Sequence, residues 1–263
     1  MSTTGAAIQP HHAAPRQGWL AAAYYRVAFY FCLLVWGLSC LAWSLPASVL
    51  YRILPARIGG PIGRFMIMSG FRWFIGVMRA TGVMRVDLSA LDALRQDGGC
   101  VIAPNHPTML DAVLIISRLP KVVCIAKASL WDSWTLGGGI RLAGYLRNDA
   151  PLPMIRKAAE TIRSGNQLLI FPEGSRTAYP PIDPFHRSFA LMAKAARAPV
   201  QTVLIEADSP YLRKGWPLFR RPVLPLVYRI RLGDRVTLGA NAEATVAQLE
   251  QHYRDKLPGA PLR

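Results

Sequence analysis

Acidic side chains are scarce in this chain. Its 263 residues include 31 Lys and Arg but only 15 Asp and Glu, which gives a formal net charge of +16 and a pI of about 10.4. Charged residues nevertheless make up only 17% of the chain, and the mean hydropathy is +0.22. A nucleic-acid-binding protein usually carries many more charges, so we expect no specific nucleic-acid partner. A basic, apolar chain instead fits an anionic membrane surface, an acidic partner or a phosphorylated substrate.

Cysteine and histidine are also rare. The four cysteines have no C-x-x-C spacing, so we expect reduced, buried thiols, with no disulfide framework and no metal site. Among the histidines, His11 and His12 lie in a polar start, His252 lies in a polar helix, and His186 has no carboxylate at a recognisable spacing. His106 remains as the candidate for acid–base chemistry. No G-x-S-x-G sequence supplies a serine nucleophile.

One long run, residues 27–45, contains no charged side chain. Its length of about 19 residues is enough to cross or deeply enter a bilayer. A secretory signal is disfavoured, because the run is longer than the usual apolar region of a signal and residues 45–47 make a poor cleavage site. A buried core helix and a hairpin that enters and leaves one leaflet stay open as alternatives.

Arginines are more frequent after this apolar run than before it. By the positive-inside rule, we expect the remainder of the chain to face the cytoplasm, at the inner (cytoplasmic) membrane. On a helix over residues 62–80, Arg64, Arg72 and Arg79 fall within about 80° of each other, which predicts a stripe of arginines facing lipid headgroups. We divide the chain into a mobile tail (1–18), a membrane-associated helical segment (19–84) and an α/β domain (85–263).

From about Arg85 onward, short β-forming runs alternate with helical segments. This alternation predicts an α/β fold with a mostly parallel mixed sheet flanked by helices, in which ligands gather at the carboxyl ends of strands. The predicted strands are residues 100–103, 122–126, 167–171, 200–206, 226–232 and 235–238. A closing surface helix is predicted over residues 241–257.

The stretch VIAPNHPTMLD, residues 101–111, places a histidine between a predicted strand and a predicted helix. On an unbroken helix His106 and Asp111 would point apart, because five residues turn through about 140°. They meet only if His106 lies in the loop and Asp111 in the first turns of the helix, which Pro107 favours as a first helical residue. The carboxylate then fixes the tautomer and leaves one ring nitrogen free to take a proton. A structural histidine is the open alternative.

A second polar turn follows an apolar strand in LLIFPEGSRT, residues 168–177. Glu173, Gly174, Ser175 and Arg176 stand where the strand emerges. Gly174 lets the backbone approach a ligand closely, and Arg176 offers a planar fork for phosphate. A glycine-containing turn with a solvated ion pair is the alternative.

Together, NHPTMLD and FPEGSRT resemble the blocks of the glycerolipid acyltransferases, the family that includes lysophosphatidic acid acyltransferase. The resemblance covers residues 101–209. It implies that His106 is the general base on the acceptor hydroxyl and that Asp111 orients it. It implies that the substrate is bound by Asn105, Lys127, Glu173, Gly174, Ser175 and Arg176. The stretch APVQTVLIEA resembles the block that lines the acyl side.

The chain departs from the family's pattern in two blocks. The second block has the form G-x-I-F-I-D-R, and the nearest match here is GYLRND, with Ala150 where the arginine should stand. Arg147 is a possible substitute, shifted by three residues. Thr202 replaces the second proline usual in the fourth block. These changes weaken the case for lysophosphatidate as acceptor and leave acyl transfer intact.

A basic amphiphilic loop follows the fourth block. The sequence IEADSPYLRKGWPLFRRPVLPLVYRIRLG resembles a bacterial subgroup associated with aryl-polyene or unusual lipid assembly. Such a loop is predicted to touch headgroups or an acidic carrier protein, and a merely solvated basic face is the alternative. Its basic and aromatic residues are Arg213, Lys214, Trp216, Phe219, Arg220 and Arg221.

The resemblance implies a membrane-associated O-acyltransferase. It would move a fatty acyl group from acyl-CoA or acyl carrier protein to a hydroxyl of a lysophospholipid or glycerol-phosphate-type lipid, with no cofactor besides the thioester. Membrane lipids and the acyl thioester donor are the expected partners. An acyltransferase for a specialised acceptor and a catalytically idle membrane adaptor of the same fold are the alternatives.

Overall fold

A computed structural model describes residues 18–149, 151–239 and 242–257, so His11, His12, Ala150 and nearly all of the predicted tail lie outside the described residues. The helices are α1 (Trp19–Ile53), α2 (Ala56–Ala80), α3 (Leu110–Ile116), α4 (Ala128–Trp131), α5 (Gly137–Leu142), α6 (Pro151–Arg163), α7 (Ser188–Ala196) and α8 (Ala242–Lys256). The strands are β1 (Met84–Asp87), β2 (Val101–Pro104), β3 (Val122–Ala126), β4 (Leu146–Arg147), β5 (Gln167–Leu169), β6 (Val200–Ala207) and β7 (Leu226–Val236). The predicted division into three segments at residues 18 and 84 stays a prediction.

The strands form one seven-stranded sheet in the order β1-β7-β6-β2-β5-β3-β4. Neighbouring strands are parallel except β6 and β7, which are antiparallel. The predicted mostly parallel mixed sheet, flanked by helices, is therefore confirmed. Since β2 to β6 all run in one direction, their last residues meet at one end of the sheet, which we call the carboxyl end.

The prediction of two separate strands near the end of the sheet is wrong. The sequence suggested a break at Gly233 and Asp234, but β7 continues through them. The pairing register of β6 and β7 shifts here, and side chains of β6 donate hydrogen bonds to the carbonyl oxygens of Gly233 and Asp234. Gln201 Nε2 donates to the carbonyl oxygen of Gly233 at 2.8 Å, and Thr202 Oγ1 donates to that of Asp234 at 2.8 Å. The two-residue strand β4 was not predicted, because a pair of residues carries no periodic signal.

Helices cover both faces of the sheet. The path from β2 through α3 to β3 moves one way along the strand order, whereas the paths through α6 and α7 move the other way. Because such crossovers are right-handed, α3 lies on one face and α6 and α7 lie on the opposite face. Helix α2 packs against α3, and α1 packs against α2 and α5, so α1 and α2 share the face of α3.

Helix α1 contains the charge-free run and is apolar on two sides. It has 35 residues and, within the described ranges, is the one helix long and apolar enough to cross a membrane. One side joins the core through Ala28, Phe29 and Cys32. The other side is solvent-facing and exposes Val27, Phe31, Leu34, Leu38, Leu41 and Leu45. A buried core helix would not carry this second apolar side.

Helix α1 also lies along the rest of the molecule over most of its length. Near its start, the hydroxyl of Tyr24 donates to the carbonyl oxygen of Thr81 at 3.1 Å. Midway, the rings of Trp36 and Phe74 are 4.6 Å apart. Towards its end α1 meets α5 so closely that a Cβ atom on Gly138 would lie 2.8 Å from the Ser44 carbonyl oxygen. The helix therefore packs side by side with the domain.

The prediction that the arginines of α2 face lipid headgroups is wrong for half-buried Arg64 and stays a prediction for Arg72 and Arg79, whose side chains are exposed. Arg64 Nη1 donates to the carbonyl oxygen of Ala143 at 3.1 Å, and Arg72 Nε donates to that of Ser117 at 3.2 Å. Ala143 and Ser117 follow the last turns of α5 and α3. Carbonyl groups at helix ends lack partners in the helix and attract cations, so these two arginines join α2 to neighbouring helices.

Candidate active site

The turn between β2 and α3 carries His106. Helix α3 begins at Leu110, so His106 lies in the loop and Asp111 lies in the first helical turn. Pro107 precedes the helix by three residues, and its prediction as the first helical residue is wrong. His106 Nδ1 and Asp111 Oδ2 are 2.9 Å apart. The structure therefore brings these two side chains together in the way that the spacing required.

Asp111 is held from both sides. Its side chain is fully buried, Oδ2 accepts from the backbone N–H of Thr108 at 2.7 Å, and Oδ1 accepts from Thr108 Oγ1 at 2.7 Å. The Thr108 oxygen lies 3.0 Å from the hydroxyl of Tyr228. Since Thr108 has already donated its single hydroxyl proton to Asp111, Tyr228 is the donor in that contact. Burial and the nearby Asp111 charge raise the pKa of Tyr228, which keeps this phenol protonated.

The imidazole of His106 is fixed in one orientation. It stacks on the ring of Phe171, with the centroids 3.7 Å apart and the planes tilted by 16°. A carboxylate only accepts hydrogen bonds, so Nδ1 donates to Asp111 and Nε2 of the neutral ring carries the lone pair. Within the described part of the chain, Nε2 has no hydrogen-bond partner, and the side chain is 16% exposed. The ring therefore presents one unoccupied basic nitrogen.

Glu173 is bound to the protein backbone. It is 3% exposed, and its carboxylate accepts from the backbone N–H of His106 at 2.7 Å and of Asp183 at 2.8 Å. The hydroxyl of Thr177 also donates to it, at 2.7 Å. Burial raises the pKa of Glu173, and the three donors oppose that shift. These contacts indicate that Glu173 holds the backbone of His106 in place. The sequence instead predicted a contact between Glu173 and the acceptor substrate.

Gly174 has the conformation that only glycine adopts without strain, with φ +66°. A Cβ atom here would lie 2.7 Å from Cδ2 of His186, so the glycine also provides room for that ring. His186, predicted to be structural, packs against this turn. The next residue, Ser175, donates from Oγ to the carbonyl oxygen of Arg176 at 3.3 Å.

Gly174→Ala is expected to lower the free energy of unfolding by about 2–4 kcal/mol, because it combines a left-handed backbone with a steric clash. Gly165→Ala is the matched control. Gly165 has φ +84° but nothing lies within 4 Å of its missing Cβ, so only the backbone strain of about 1 kcal/mol applies. Chemical denaturation of the two variants measures the difference, and equal losses would show that the His186 contact does not matter.

Arg176 joins this turn to the loop that follows β6. Its Nη1 donates to the carbonyl oxygens of Leu212 and Arg213 at 3.0 and 3.1 Å. The backbone N–H of Met109, in the His106 turn, donates to the same Leu212 oxygen at 3.1 Å. One nitrogen of the Arg176 guanidinium thus has a structural partner, and phosphate binding by its remaining N–H groups stays a prediction.

Asn105 connects the His106 turn to β6. Its Nδ2 donates to the carbonyl oxygen of Ile205 at 2.8 Å, its Oδ1 accepts from the Ile205 backbone N–H at 2.7 Å, and the side chain is buried. These bonds point to a positioning role in place of the substrate contact that the sequence predicted. The sequence gives no signal for this pair, because 100 residues separate its members.

Two further basic residues lie at the carboxyl end of the sheet. Lys127 directly follows β3 and is exposed, so its ammonium group is accessible to a ligand. Arg147, the predicted substitute for the family's arginine, ends β4 and pairs with Asp132 at 2.9 Å and Asp149 at 2.8 Å. Those carboxylates neutralise Arg147, which leaves Lys127 and Arg176 as the candidate phosphate contacts among the predicted residues.

Sequence reasoning missed several residues that shape the site. Thr108 stands three residues before Asp111, a spacing that favours such a hydrogen bond and could have identified it. Phe171 was placed in a strand, but β5 ends at Leu169 and frees its ring to stack on His106. Tyr228 lies in β7, and no local pattern connects it to the site.

Comparison with known proteins agrees with the resemblance. Residues 85–206 match the family model described as Acyltransferase. The chain is 25% identical over 198 residues to human 1-acyl-sn-glycerol-3-phosphate acyltransferase beta, covering 73% of this chain and 68% of the relative. It is 22% identical over 231 residues to 1-acyl-sn-glycerol-3-phosphate acyltransferase of Pseudomonas aeruginosa, covering 86% and 85%.

A solved structure supports the fold. The 1-acyl-sn-glycerophosphate (LPA) acyltransferase PlsC from Thermotoga maritima superposes with a TM-score of 0.66 at 17% identity, covering 93% of this chain and 99% of that one. The chain therefore contains an acyltransferase domain over residues 85–206 and is similar to the 1-acyl-sn-glycerol-3-phosphate acyltransferases, an acyltransferase enzyme class.

Proposed function

We propose that this protein transfers a fatty acyl group from an acyl thioester, acyl-CoA or acyl carrier protein, to a hydroxyl of a lysophospholipid or glycerol-phosphate-type lipid. One observation carries the proposal. His106 Nδ1 is hydrogen-bonded to buried Asp111, while Nε2 of the same ring has no hydrogen-bond partner within the described residues. A histidine held in this way is a general base for a hydroxyl.

The reaction needs one proton carrier and no covalent enzyme intermediate. Nε2 of His106 takes the hydroxyl proton as the oxygen attacks the thioester carbonyl, and Asp111 stabilises the imidazolium. A carbon–oxygen ester bond forms, the carbon–sulfur bond breaks, and the proton passes to the departing thiolate. The backbone contacts of Asn105 and Glu173 keep the imidazole in place during this exchange.

The acceptor's phosphate is proposed to bind beside His106. Lys127 and Arg176 both follow strands that end at the carboxyl end of the sheet, and Thr177 N–H donates to the His106 carbonyl oxygen at 2.8 Å, so the Arg176 turn directly adjoins the base. Both side chains are cations that suit a phosphate. No metal and no further cofactor is part of the proposal.

Lys127→Ala is expected to raise the KM for a phosphate-bearing acceptor by about 3- to 10-fold, with kcat little changed, because an exposed cation contributes modestly to binding. Lys121→Ala is the matched control, since Lys121 is also exposed but precedes β3 at the opposite end of the sheet. Initial rates at varied acceptor concentration measure both. Equal KM values in the two variants would remove Lys127 from the phosphate site.

The protein is proposed to work at the inner membrane, with the α/β domain in the cytoplasm. Helix α1 is about 52 Å long, more than the roughly 30 Å of a bilayer core, but it packs along the domain from Tyr24 to Ser48. A helix attached to the domain over this length does not leave it to cross a bilayer. Its outward apolar side instead favours insertion into one leaflet, the hairpin alternative of the sequence.

Purified protein incubated with a labelled acyl thioester and lysolipids tests the proposal. We expect an ester product with 1-acyl-glycerol 3-phosphate, and a much lower rate with the matching monoacylglycerol, which lacks the phosphate. Supplying acyl-CoA and acyl carrier protein in parallel identifies the donor. No product from any donor and acceptor would contradict the enzyme and favour the adaptor alternative; equal rates with and without phosphate would contradict the proposed acceptor class.

A further inference from the structure

The segment between β6 and β7, residues 208–225, is strongly basic, and we call it the β6–β7 loop. From Ser209 to Gly233 the chain contains no Asp or Glu, so no acid within this stretch offsets its cations. The basic residues of the loop are Arg213, Lys214, Arg220 and Arg221. In a chain of net charge +16 this is a local concentration of positive charge next to the candidate site.

The inner part of the loop is fixed to the turn that carries His106. Leu212 is buried, and its carbonyl oxygen accepts from the backbone N–H of Met109 and from Arg176. Leu212 has φ 61°, a conformation that is unfavourable for leucine and is held by these bonds. The position of the loop is therefore tied to the position of the active-site turn.

The outer part of the loop exposes apolar side chains. Phe219 is 69% exposed and Val223 is 74% exposed. The hydroxyl of Tyr30, on α1, donates to the Phe219 carbonyl oxygen at 3.2 Å, and the rings of Phe29 and Tyr211 are 5.5 Å apart. The loop thus adjoins the first half of α1, whose outward side is also apolar.

The arginines of the outer part stand beside these apolar groups. The Arg220 guanidinium lies over the Trp216 ring, 4.9 Å from its centroid, and Trp216 Nε1 donates to the Arg220 carbonyl oxygen at 3.0 Å. This arrangement fixes the chain while leaving Arg220 exposed. A cation, an indole and exposed apolar side chains in one short segment are the composition of a membrane interface.

We propose that the outer part of the β6–β7 loop is a docking surface for anionic lipid headgroups. Arg220 and Arg221 bind the headgroup phosphates, while Phe219 and Val223 enter the lipid beside α1. Because Leu212 fixes the inner part to the His106 turn, docking holds the active site at the lipid surface. An acidic carrier protein would account for the arginines but not for the exposed apolar residues that continue the side of α1. The role of this docking in bringing the active site to its substrate rests on the proposed function.

A fluorescent probe on the loop tests the proposal directly. Cys40 and Cys124 are replaced by alanine in the full-length protein, and an environment-sensitive probe is attached to Val223→Cys. The control probe is attached to Ser164→Cys, which is exposed directly after α6, at the opposite end of the sheet from the candidate site. The vesicles are phosphatidylcholine with or without phosphatidylglycerol, and both contain a lipid with a nitroxide on its headgroup, which quenches nearby fluorophores.

The probe at residue 223 is expected to be quenched much more in vesicles that contain phosphatidylglycerol, and the probe at residue 164 is expected to remain unquenched in both. Arg220→Ala and Arg221→Ala should each weaken the phosphatidylglycerol-dependent contact about fivefold, since one basic residue near an anionic surface contributes about 1 kcal/mol. Arg220→Lys and Arg221→Lys should keep most of this contact, because lysine retains the charge. A salt concentration of 0.5 M should weaken the contact in the parent protein.

Three outcomes would overturn the proposal. They are equal quenching at residues 223 and 164, quenching at residue 223 that does not depend on phosphatidylglycerol, and a probe that responds to acyl carrier protein but not to vesicles. Arg156→Ala with Lys157→Ala, on α6, controls for total charge and should change nothing. No acyl transfer enters the readout, so failure of the proposed reaction would leave the result on docking intact.

Discussion

His106→Ala is expected to lower kcat for acyl transfer by about 10²- to 10⁴-fold, because it removes the only proposed proton acceptor. The fold should persist, since the backbone of His106 keeps its bonds to Glu173 and Thr177 whatever the side chain. His106→Gln is the sharper variant: an amide can still donate to Asp111 but cannot take a proton at neutral pH. Turnover with a labelled thioester measures both variants, and thermal unfolding reports their folding.

The chain offers a matched control for this experiment. His252 Nδ1 lies 3.2 Å from Asp234 Oδ2, so a second histidine–carboxylate pair exists away from the His106 turn. His252→Gln should retain acyl transfer. Loss of activity in both histidine variants would indicate a general effect on folding, and activity retained in His106→Gln would contradict the mechanism.

Asp111→Asn separates orientation of the ring from proton transfer. Asp111 accepts from His106 Nδ1 and from both Thr108 donors. An asparagine has one acceptor oxygen where Asp111 has two, so it cannot accept all three hydrogen bonds. With its amide nitrogen towards the ring, it donates to Nδ1 and reverses the favoured tautomer of His106. We expect kcat to fall by about 10²- to 10⁴-fold, as when an acceptor that orients a catalytic histidine is lost. A KM effect alone would show that Asp111 acts on substrate binding.

The parts of this molecule that follow from local sequence were predictable. The alternation of strands and helices after Arg85 gave the mostly parallel sheet, and the five-residue spacing of His106 and Asp111 gave their geometry. These inferences use contacts between residues close in sequence, for which helix and strand geometry fixes distance and direction.

The errors have a common physical origin in contacts between distant segments. Arg64 was assigned to headgroups because its angular position on α2 was known and its partner at the end of α5 was not. Glu173 was likewise assigned to the acceptor substrate without knowledge of its partner His106, which lies 67 residues away, and that substrate contact stays a prediction. A single sequence shows which polar side chains share a turn, but not which of them already have backbone partners in the fold.

Glu173 therefore provides the most direct test of the structure against the sequence-based role. If Glu173 binds the acceptor, Glu173→Ala should raise KM and leave stability unchanged. The structure predicts the opposite. The substitution leaves two partly buried N–H groups and the buried Thr177 hydroxyl without their acceptor, and an unsatisfied buried donor costs about 1–3 kcal/mol.

We expect Glu173→Ala to lower the free energy of unfolding by about 3–5 kcal/mol, with kcat falling because the backbone of His106 is released. Glu173→Gln should lose less, since its one amide oxygen still accepts from some of these donors, whereas its amide nitrogen accepts from none. Glu160→Ala, on exposed α6, is the control and should stay within about 0.5 kcal/mol of the parent. Denaturant unfolding and steady-state rates on the same samples distinguish the two roles, because only a positioning carboxylate couples lost stability to lost kcat at this site.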